Sequence, residues 1–203
     1  METIKQQNIQ TLDLSSPIWE RVFTIAPLVV IGTIEGNKYD LAPKHMVTPL
    51  GFGNYFGFVC TPRHSTYQNI IQTRNFTVSF PKPEQVVHTS LSATPRSQCI
   101  SKSDDILDSL SVVKATTMEA PMIAGAYFYL ECELFKIIDG FDDFSMITGV
   151  IKAAHVDKDY LRISEYDERD QLRRNPLLAY IAQGRFAHIS ETFNFPFPKD
   201  FKN

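Results

Sequence analysis

The sequence predicts one mainly β domain, an antiparallel β-barrel with a few covering helices. Its 203 residues are 43% hydrophobic, which is enough for a single well-filled core. Fifteen phenylalanines, eight tyrosines and twelve prolines favour strands, turns and flat-faced pockets over a helical bundle. Two hairpin patterns, one in each half of the chain, supply the antiparallel strands. We therefore expect residues 1–203 to form one domain, with residues 1–15 as an N-terminal arm.

The first predicted elements are a short helix and a hairpin. A serine and a proline at 16–17, followed by apolar residues at helical spacing, predict a helix that ends before Pro27. Residues 28–34 form a β-branched run that is too short for a typical buried helix. The turn signal at 35–37 then returns the chain into 39–42, and this pattern is typical of a β-hairpin.

The β pattern continues through residues 40–47 and 55–60. Pro49, Gly51 and Gly53 interrupt it, as at a bend where a ligand comes close to the backbone. Two further strand segments are therefore predicted on either side of this bend.

A helix and another strand come next. Tyr67, Ile70 and Ile71 share one face of the predicted helix, so that face is expected to pack on the sheet. Residues 76–80 alternate apolar with small polar side chains, which is the period of a half-buried strand, and Pro81 ends the pattern. The end of this strand and the start of the helix are expected to meet at the same cavity.

The second half of the chain predicts a capped helix at 103–110 and a long hairpin. The first strand of the hairpin covers 125–138, the turn is expected at 139–140, and the returning strand covers 144–156. Residues 165–174 carry a run of charges, which we interpret as a solvated surface.

Charge and cysteine content exclude several functions. The net charge of −3 leaves no basic stripe, so neither nucleic acid nor an anionic membrane surface is expected as a partner. The three cysteines include no CxxC pair, and Cys60 and Cys132 are expected in the core. The N-terminus lacks a signal-peptide core, and no window approaches the roughly 20 apolar residues of a membrane span. We expect a cytoplasmic protein.

A turn between a strand and a helix carries the candidate phosphate site. Within residues 61–67, the cation Arg63 precedes His64, Ser65 and Thr66. The free N–H groups and the dipole of a helix start favour an anion at this place. The alternative is an ordinary surface turn in which Ser65 only caps the helix.

Other catalytic motifs are missing from the sequence. There is no Ser/His/Asp or Cys/His nucleophile set, and the glycines between Gly51 and Gly57 have the wrong last interval for a dinucleotide fingerprint. Glu131 and Glu133 share one face of a predicted strand. We interpret that face as an edge or solvent face rather than an acid–base pair.

The order of strand, polar turn, helix and strand resembles the flavin reductase-like, FMN-binding split-barrel family, which includes flavoredoxin and two-component flavin reductases. The first matching motifs are the Thr-x-x-Asn-Ile helix and the strand after it, here Ser65, Thr66, Asn69, Ile70, Phe76, Thr77, Val78 and Ser79. Further matches follow near the C-terminus, at Gly149, Val150, His155, Tyr180, Arg185 and Phe186. The resemblance spans about residues 26–190.

The resemblance implies an antiparallel split β-barrel of Greek-key type that forms a homodimer and binds FMN at or near the subunit interface. By this resemblance the phosphate is bound by Arg63, His64, Ser65 and Thr66. The remaining cofactor-binding residues that it implies are His45, Met46, Val47, Thr48, Ser79, Phe80, Pro81 and His155. No catalytic acid or base is implied, because hydride transfer requires a stacked geometry.

Two residues before the bend have a second interpretation. Lys44 and His45 could bind an anionic second substrate or a nicotinamide phosphate. For Lys44 we favour the simpler interpretation, an edge lysine that faces water.

The implied function is an oxidoreductase in which bound FMN takes a hydride from NADH or NADPH. The electrons then pass to free flavin, to a partner oxygenase or to another redox protein. Two alternatives are a flavoredoxin-like electron-transfer protein that does not oxidise NAD(P)H itself, and a non-catalytic FMN-binding module. No metal is implied.

Overall fold

The structure is a computed structural model that describes residues 8–93, 110–162 and 167–194. The strands are β1 (Ala26–Pro27), β2 (Val29–Glu35), β3 (Lys38–Lys44), β4 (Val47–Pro49), β5 (Tyr55–Cys60), β6 (Asn75–Phe80), β7 (Val112–Lys114), β8 (Pro121–Ile123), β9 (Phe128–Phe141), β10 (Phe144–Val156), β11 (Leu177–Ala182) and β12 (Arg185–Ile189). The helices are α1 (Ser65–Thr73), α2 (Val86–Leu91) and α3 (Glu168–Arg174), with short 3-10 turns at Pro83–Gln85 and Lys158–Tyr160.

Seven of these strands form one antiparallel sheet that curls into a half-barrel. Their order is β3-β2-β6-β9-β10-β5-β4. The edge strands β3 and β4 are consecutive in the sequence and are joined only by His45 and Met46. A flat sheet of this width spans roughly 29 Å, whereas the joint from Lys44 to Val47 reaches about 11 Å at most. The sheet therefore bends until its two edges meet at this joint, and the mainly β, antiparallel fold is confirmed.

The apolar core fills the inside of this curl. Strands β2, β5, β6, β9 and β10 line it, and α1 contributes Tyr67 and Ile70. Cys60 and Cys132 are free thiols that are 2% and 0% exposed, so the prediction that both are core residues is confirmed. The two hairpin partners β2 and β3 turn at Gly36, whose φ of 60° suits glycine.

The outer face of the sheet is covered at its centre by residues 110–123. In this segment β7 and β8 pair as a small hairpin. The Thr77 hydroxyl donates to the β8 backbone, and Ser79 Oγ accepts a hydrogen bond from the N–H of Ile123 at 3.0 Å. A Cβ on Gly32 would lie 2.5 Å from the Thr77 hydroxyl, so this packing is close. The alternating pattern of β6 had indicated a half-buried strand. In the structure β6 is instead buried on both faces.

A second, three-stranded sheet forms from the C-terminal part of the chain. β11 and β12 make a hairpin, and β11 also pairs with β1. The charge run before it is α3, which buries none of its residues, so the prediction of a solvated surface is confirmed for residues 167–174.

Several local predictions are wrong. Residues 16–25 form turns and bends instead of a helix, and Trp19 and Phe23 are 64% and 74% exposed, so no buried face stabilises a helix there. The long hairpin turns between Phe141 and Phe144 rather than at 139–140. The helix predicted at 103–110 lies outside the described residues except for its last position.

The inner face of α1 also differs from the prediction. Ile71 is 45% exposed, while the polar Asn69 is buried. Its Nδ2 donates to Thr33 Oγ1 at 3.0 Å. This hydrogen bond satisfies both polar groups and allows the helix to pack closely on β2.

Candidate functional site

A short turn at residues 61–64 connects the end of β5 to the start of α1. His64 is the N-cap, no side chain caps the helix, and its first turn contains no acidic residue. Thr61 Oγ1 is buried without a hydrogen-bond partner in the described part of the chain. The Thr66 hydroxyl instead donates to Asp40 Oδ2 at 3.3 Å and is buried. Backbone N–H groups and the partly buried Ser65 hydroxyl are therefore available to an anion.

Lys44 brings a positive charge to this helix start. It pairs with Val29, so its side chain lies on the inner face of the sheet, where α1 packs. Its charge acts on the Cys60 thiol, and Cys60 Sγ lies 3.9 Å from His64 Nδ1. Desolvation and the Lys44 charge lower the pKa of His64 and also that of His45. Lys44 ends the edge strand β3 and is partly buried.

Arg63, which was predicted to bind the phosphate, forms an ion pair with the acidic turn between β9 and β10. Its guanidinium lies 2.6 Å from Asp143 Oδ2, and both side chains are largely exposed. Both residues line a cavity of about 440 Å³ whose lining also includes Asp139, Asp142 and Ser145. Three carboxylates against one guanidinium disfavour a dianion in this cavity. The charges that line this cavity therefore do not favour a phosphate next to Arg63.

The strand after Lys44 lies at an open edge of the sheet. Among the described strands β4 pairs with β5 alone, through Val47, Thr48 and Pro49. Met46 is 49% exposed, and Thr48 is exposed too. An edge strand presents unpaired N–H and C=O groups, which can bind the polar rim of a flat ring.

His45 is held at the joint between the two sheet edges. Its ring stacks on Tyr180 of β11, with centroids 4.0 Å apart and planes 17° apart. Phe186 of β12 meets Tyr180 edge-on at 6.0 Å. The structure thus brings three residues of the sequence analysis together beside β4 through two ring contacts.

The three residues predicted at the end of β6 lie in different surroundings. Ser79 faces residues 110–123, where its hydroxyl oxygen accepts a hydrogen bond from the N–H of Ile123. Phe80 packs against Phe128 and Phe56, with ring centroids 5.0 and 6.1 Å apart. Pro81 is buried. Their predicted place beside the helix start stays a prediction.

His155 belongs to a polar cluster that the sequence did not predict. Its Nε2 lies 3.0 Å from Oε1 of Glu131, whose side chain is fully buried. The same carboxylate accepts hydrogen bonds from the backbone N–H and hydroxyl of both Thr116 and Thr117, at 2.6–2.8 Å. Burial alone would raise the pKa of Glu131, but these donors lower it to about 2. The interpretation of Glu131 as solvent-facing is therefore wrong, whereas Glu133 is half-exposed.

A flavin nucleotide requires a phosphate-binding group, a flat surface and hydrogen bonds to the edge of its ring, and these residues can supply each of them. The uncapped start of α1 and Lys44 suit the phosphate, and the buried Thr61 hydroxyl still needs a partner. The open edge of β4 and the His45–Tyr180 stack suit a ring. In the residues that the structure describes, no cluster of His, Cys, Asp and Glu could hold a metal ion. The helices of that part are also too short or too polar to cross a membrane.

Solved structures share this fold. Flavoredoxin from Methanosarcina acetivorans superposes with a TM-score of 0.75 at 18% identity, over 95% of this chain and 97% of that chain. A split barrel domain protein from Shewanella frigidimarina gives 0.73 at 16% identity, over 86% and 87%. The NADH:FAD oxidoreductase of Streptomyces globisporus gives 0.69 at 16% identity, over 89% and 98%. Among curated proteins, no sequence matches this chain.

The curled sheet, with an open edge and an uncapped helix start, defines a split-barrel protein. The model of the flavin reductase like domain matches residues 23–186, so the chain belongs to the flavin reductase-like family. It is therefore a flavin-binding oxidoreductase, and the family predicted from the sequence is confirmed.

Sequence reasoning missed two features of the site. Val29 and Ile31 alternate onto the inner face of the sheet, and Lys44 pairs with Val29 in the β2–β3 hairpin. The hairpin register therefore predicts that Lys44 lies on the same inner face. No local signal marks Glu131, because its burial depends on Thr116 and Thr117, which are 15 and 14 residues away in the sequence.

Proposed function

We propose that this protein is an FMN-binding reductase that takes electrons from NADH or NADPH and passes them to free flavin or to a partner oxygenase. One observation carries the proposal: the uncapped start of α1, with Lys44 beside it, lies next to the open edge of β4. These features suit the two ends of a flavin nucleotide. The similarity to an NADH:FAD oxidoreductase supports the choice of donor.

The protein binds and orients the cofactor in this proposal. The N–H groups at the start of α1, with Ser65, hold the phosphate, and Thr66 fixes the helix start through Asp40. The backbone from Val47 to Thr48 binds the polar rim of the ring. When bound, FMN accepts a hydride and passes the electrons on. No protein acid or base is needed for that transfer.

A flavoredoxin-like electron carrier is the second candidate. The similarity to flavoredoxin along nearly the whole of both chains favours it. Such a protein binds FMN but exchanges electrons with a redox protein instead of oxidising NAD(P)H. The third candidate, a barrel without FMN chemistry, retains only the scaffold.

We further propose that the single domain forms a homodimer in the cytoplasm. Exposed apolar side chains near the three-stranded sheet support the dimer, namely Trp19, Phe23, Ile25 and Phe186. Clustered exposed apolar groups favour contact with another protein surface. The free, buried Cys60 and Cys132 suit a reducing compartment. Light scattering after size-exclusion chromatography tests the dimer, and a monomeric mass would contradict it.

Anaerobic absorbance spectroscopy tests the function. The protein is loaded with FMN and mixed first with NADH and then with NADPH. Bleaching of the bound flavin band within seconds supports the reductase and identifies its donor. A band that persists with both nucleotides but bleaches with a reduced ferredoxin supports the electron carrier. Failure to take up FMN contradicts both.

A further inference from the structure

We propose that Lys44 is the residue that neutralises the phosphate of bound FMN. The inference rests on the proposed function, because it names the charged group of the same site. No motif in the sequence assigns this role to Lys44, and the motif-based candidate was Arg63.

The charge of Lys44 lacks a carboxylate partner in the described residues. Arg63, Lys82 and Lys152 each lie within 3.1 Å of a carboxylate oxygen. The Lys44 charge acts on the thiol of Cys60, which is a weak acceptor and stays neutral because burial raises the pKa of this thiol. Lys44 therefore offers a positive charge with which an anionic ligand can form a charge-assisted hydrogen bond.

The position of Lys44 places its charge beside the helix start. Its charge acts on the Cys60 thiol and on the His64 ring, and Cys60 Sγ lies 3.9 Å from Nδ1 of His64, the N-cap of α1. Asp40, on the same face of β3, accepts a hydrogen bond from the Thr66 hydroxyl. Its charge acts on the pKa of His64 in the opposite direction to that of Lys44. The helix N–H groups and the Lys44 ammonium can act on one phosphate because Lys44 ends β3 on the face where α1 packs.

This position also sets the direction of the cofactor. Lys44 is followed at once by His45 and by the open edge of β4, which begins at Val47. A phosphate held at Lys44 leaves the rest of the nucleotide next to that edge. Arg63, in contrast, faces Asp143 and two further aspartates across the cavity, so its charge is already compensated.

Affinities for FMN and riboflavin test the role of Lys44, because the two ligands differ only in the phosphate. For Lys44→Met we expect the Kd of FMN to rise about 10- to 100-fold, as for loss of a charge-assisted bond. The Kd of riboflavin should change less than about twofold, because the ring contacts remain. Lys44→Arg should retain most of the FMN affinity. Lys152→Met removes a half-exposed surface lysine and serves as the matched control.

The outcomes separate this inference from the proposed function. Equal weakening of FMN and riboflavin by Lys44→Met, with an unchanged melting temperature, would overturn the phosphate role. Unchanged FMN affinity would overturn it too, as would a loss confined to Arg63→Gln. If the unaltered protein binds neither flavin, the proposed function itself fails.

Discussion

Replacing Glu131 by glutamine should destabilise the protein strongly although the two side chains have the same shape. The carboxylate holds Thr116 and Thr117 through four hydrogen bonds and contacts His155. In Glu131→Gln one carboxylate oxygen becomes an NH₂ group, which cannot accept the hydrogen bonds that Thr116 or Thr117 donates. Glu131 thus binds residues 110–123 to the outer face of β6 and β9.

The magnitude follows from the pKa. The donors lower the pKa of Glu131 from 4.5 to about 2. At about 1.4 kcal/mol per pH unit, that difference corresponds to about 3 kcal/mol of stability at pH 7. Because the folded-state pKa is depressed, this contribution is complete above about pH 4.5 and is lost as the pH falls toward 2.

Urea unfolding followed by circular dichroism measures this effect for the unaltered protein, Glu131→Gln and the control Glu133→Gln. Glu133 is 53% exposed and pairs with Lys152, so its loss should cost below about 1 kcal/mol. The difference in the free energy of unfolding between the unaltered protein and Glu131→Gln should decrease as the pH is lowered from 6 to 3. Equal midpoints for the two variants, or a gap that does not depend on pH, would refute the reasoning.

Two further predictions concern packing and the joint between the sheet edges. Gly32→Ala should lower the free energy of unfolding by about 2 kcal/mol, because the new Cβ clashes with the backbone carbonyl oxygen of Pro121 and lies 2.5 Å from the Thr77 hydroxyl. The control Gly53→Ala lies in an exposed loop, and an equal loss in both would contradict the close packing. Tyr180→Ala removes the stack on His45 and should raise the Kd of FMN about 2- to 12-fold. Tyr180→Phe should have little effect, so an equal loss in the phenylalanine variant would show that the hydroxyl matters instead of the stack.

Features that depend on local pattern could be predicted from the sequence. The β2–β3 hairpin follows from a β-branched run and a glycine turn, and α1 follows from Tyr67 and Ile70 at helical spacing. The bend at Pro49 likewise separates β4 from β5. These signals lie within a few residues of the elements that they predict.

Features that depend on distant contacts could not be predicted. The alternation around Glu131 indicates an outward side chain, and the structure agrees, but residues 110–123 then cover that face. The apolar residues Trp19 and Phe23 match a helical face, yet both are largely exposed in the described part of the chain, so their burial does not stabilise a helix. Arg63 is drawn to Asp143, a partner 80 residues away that no local pattern reveals.

Equilibrium dialysis of the purified protein against FMN tests the central claim most directly. A flavin site built from the start of α1, Lys44 and the edge of β4 predicts saturable uptake of one FMN per chain. It also predicts tighter binding of FMN than of riboflavin and weaker FMN binding at high salt. Uptake that does not saturate, or equal binding of FMN and riboflavin at all salt concentrations, would contradict this account of the site.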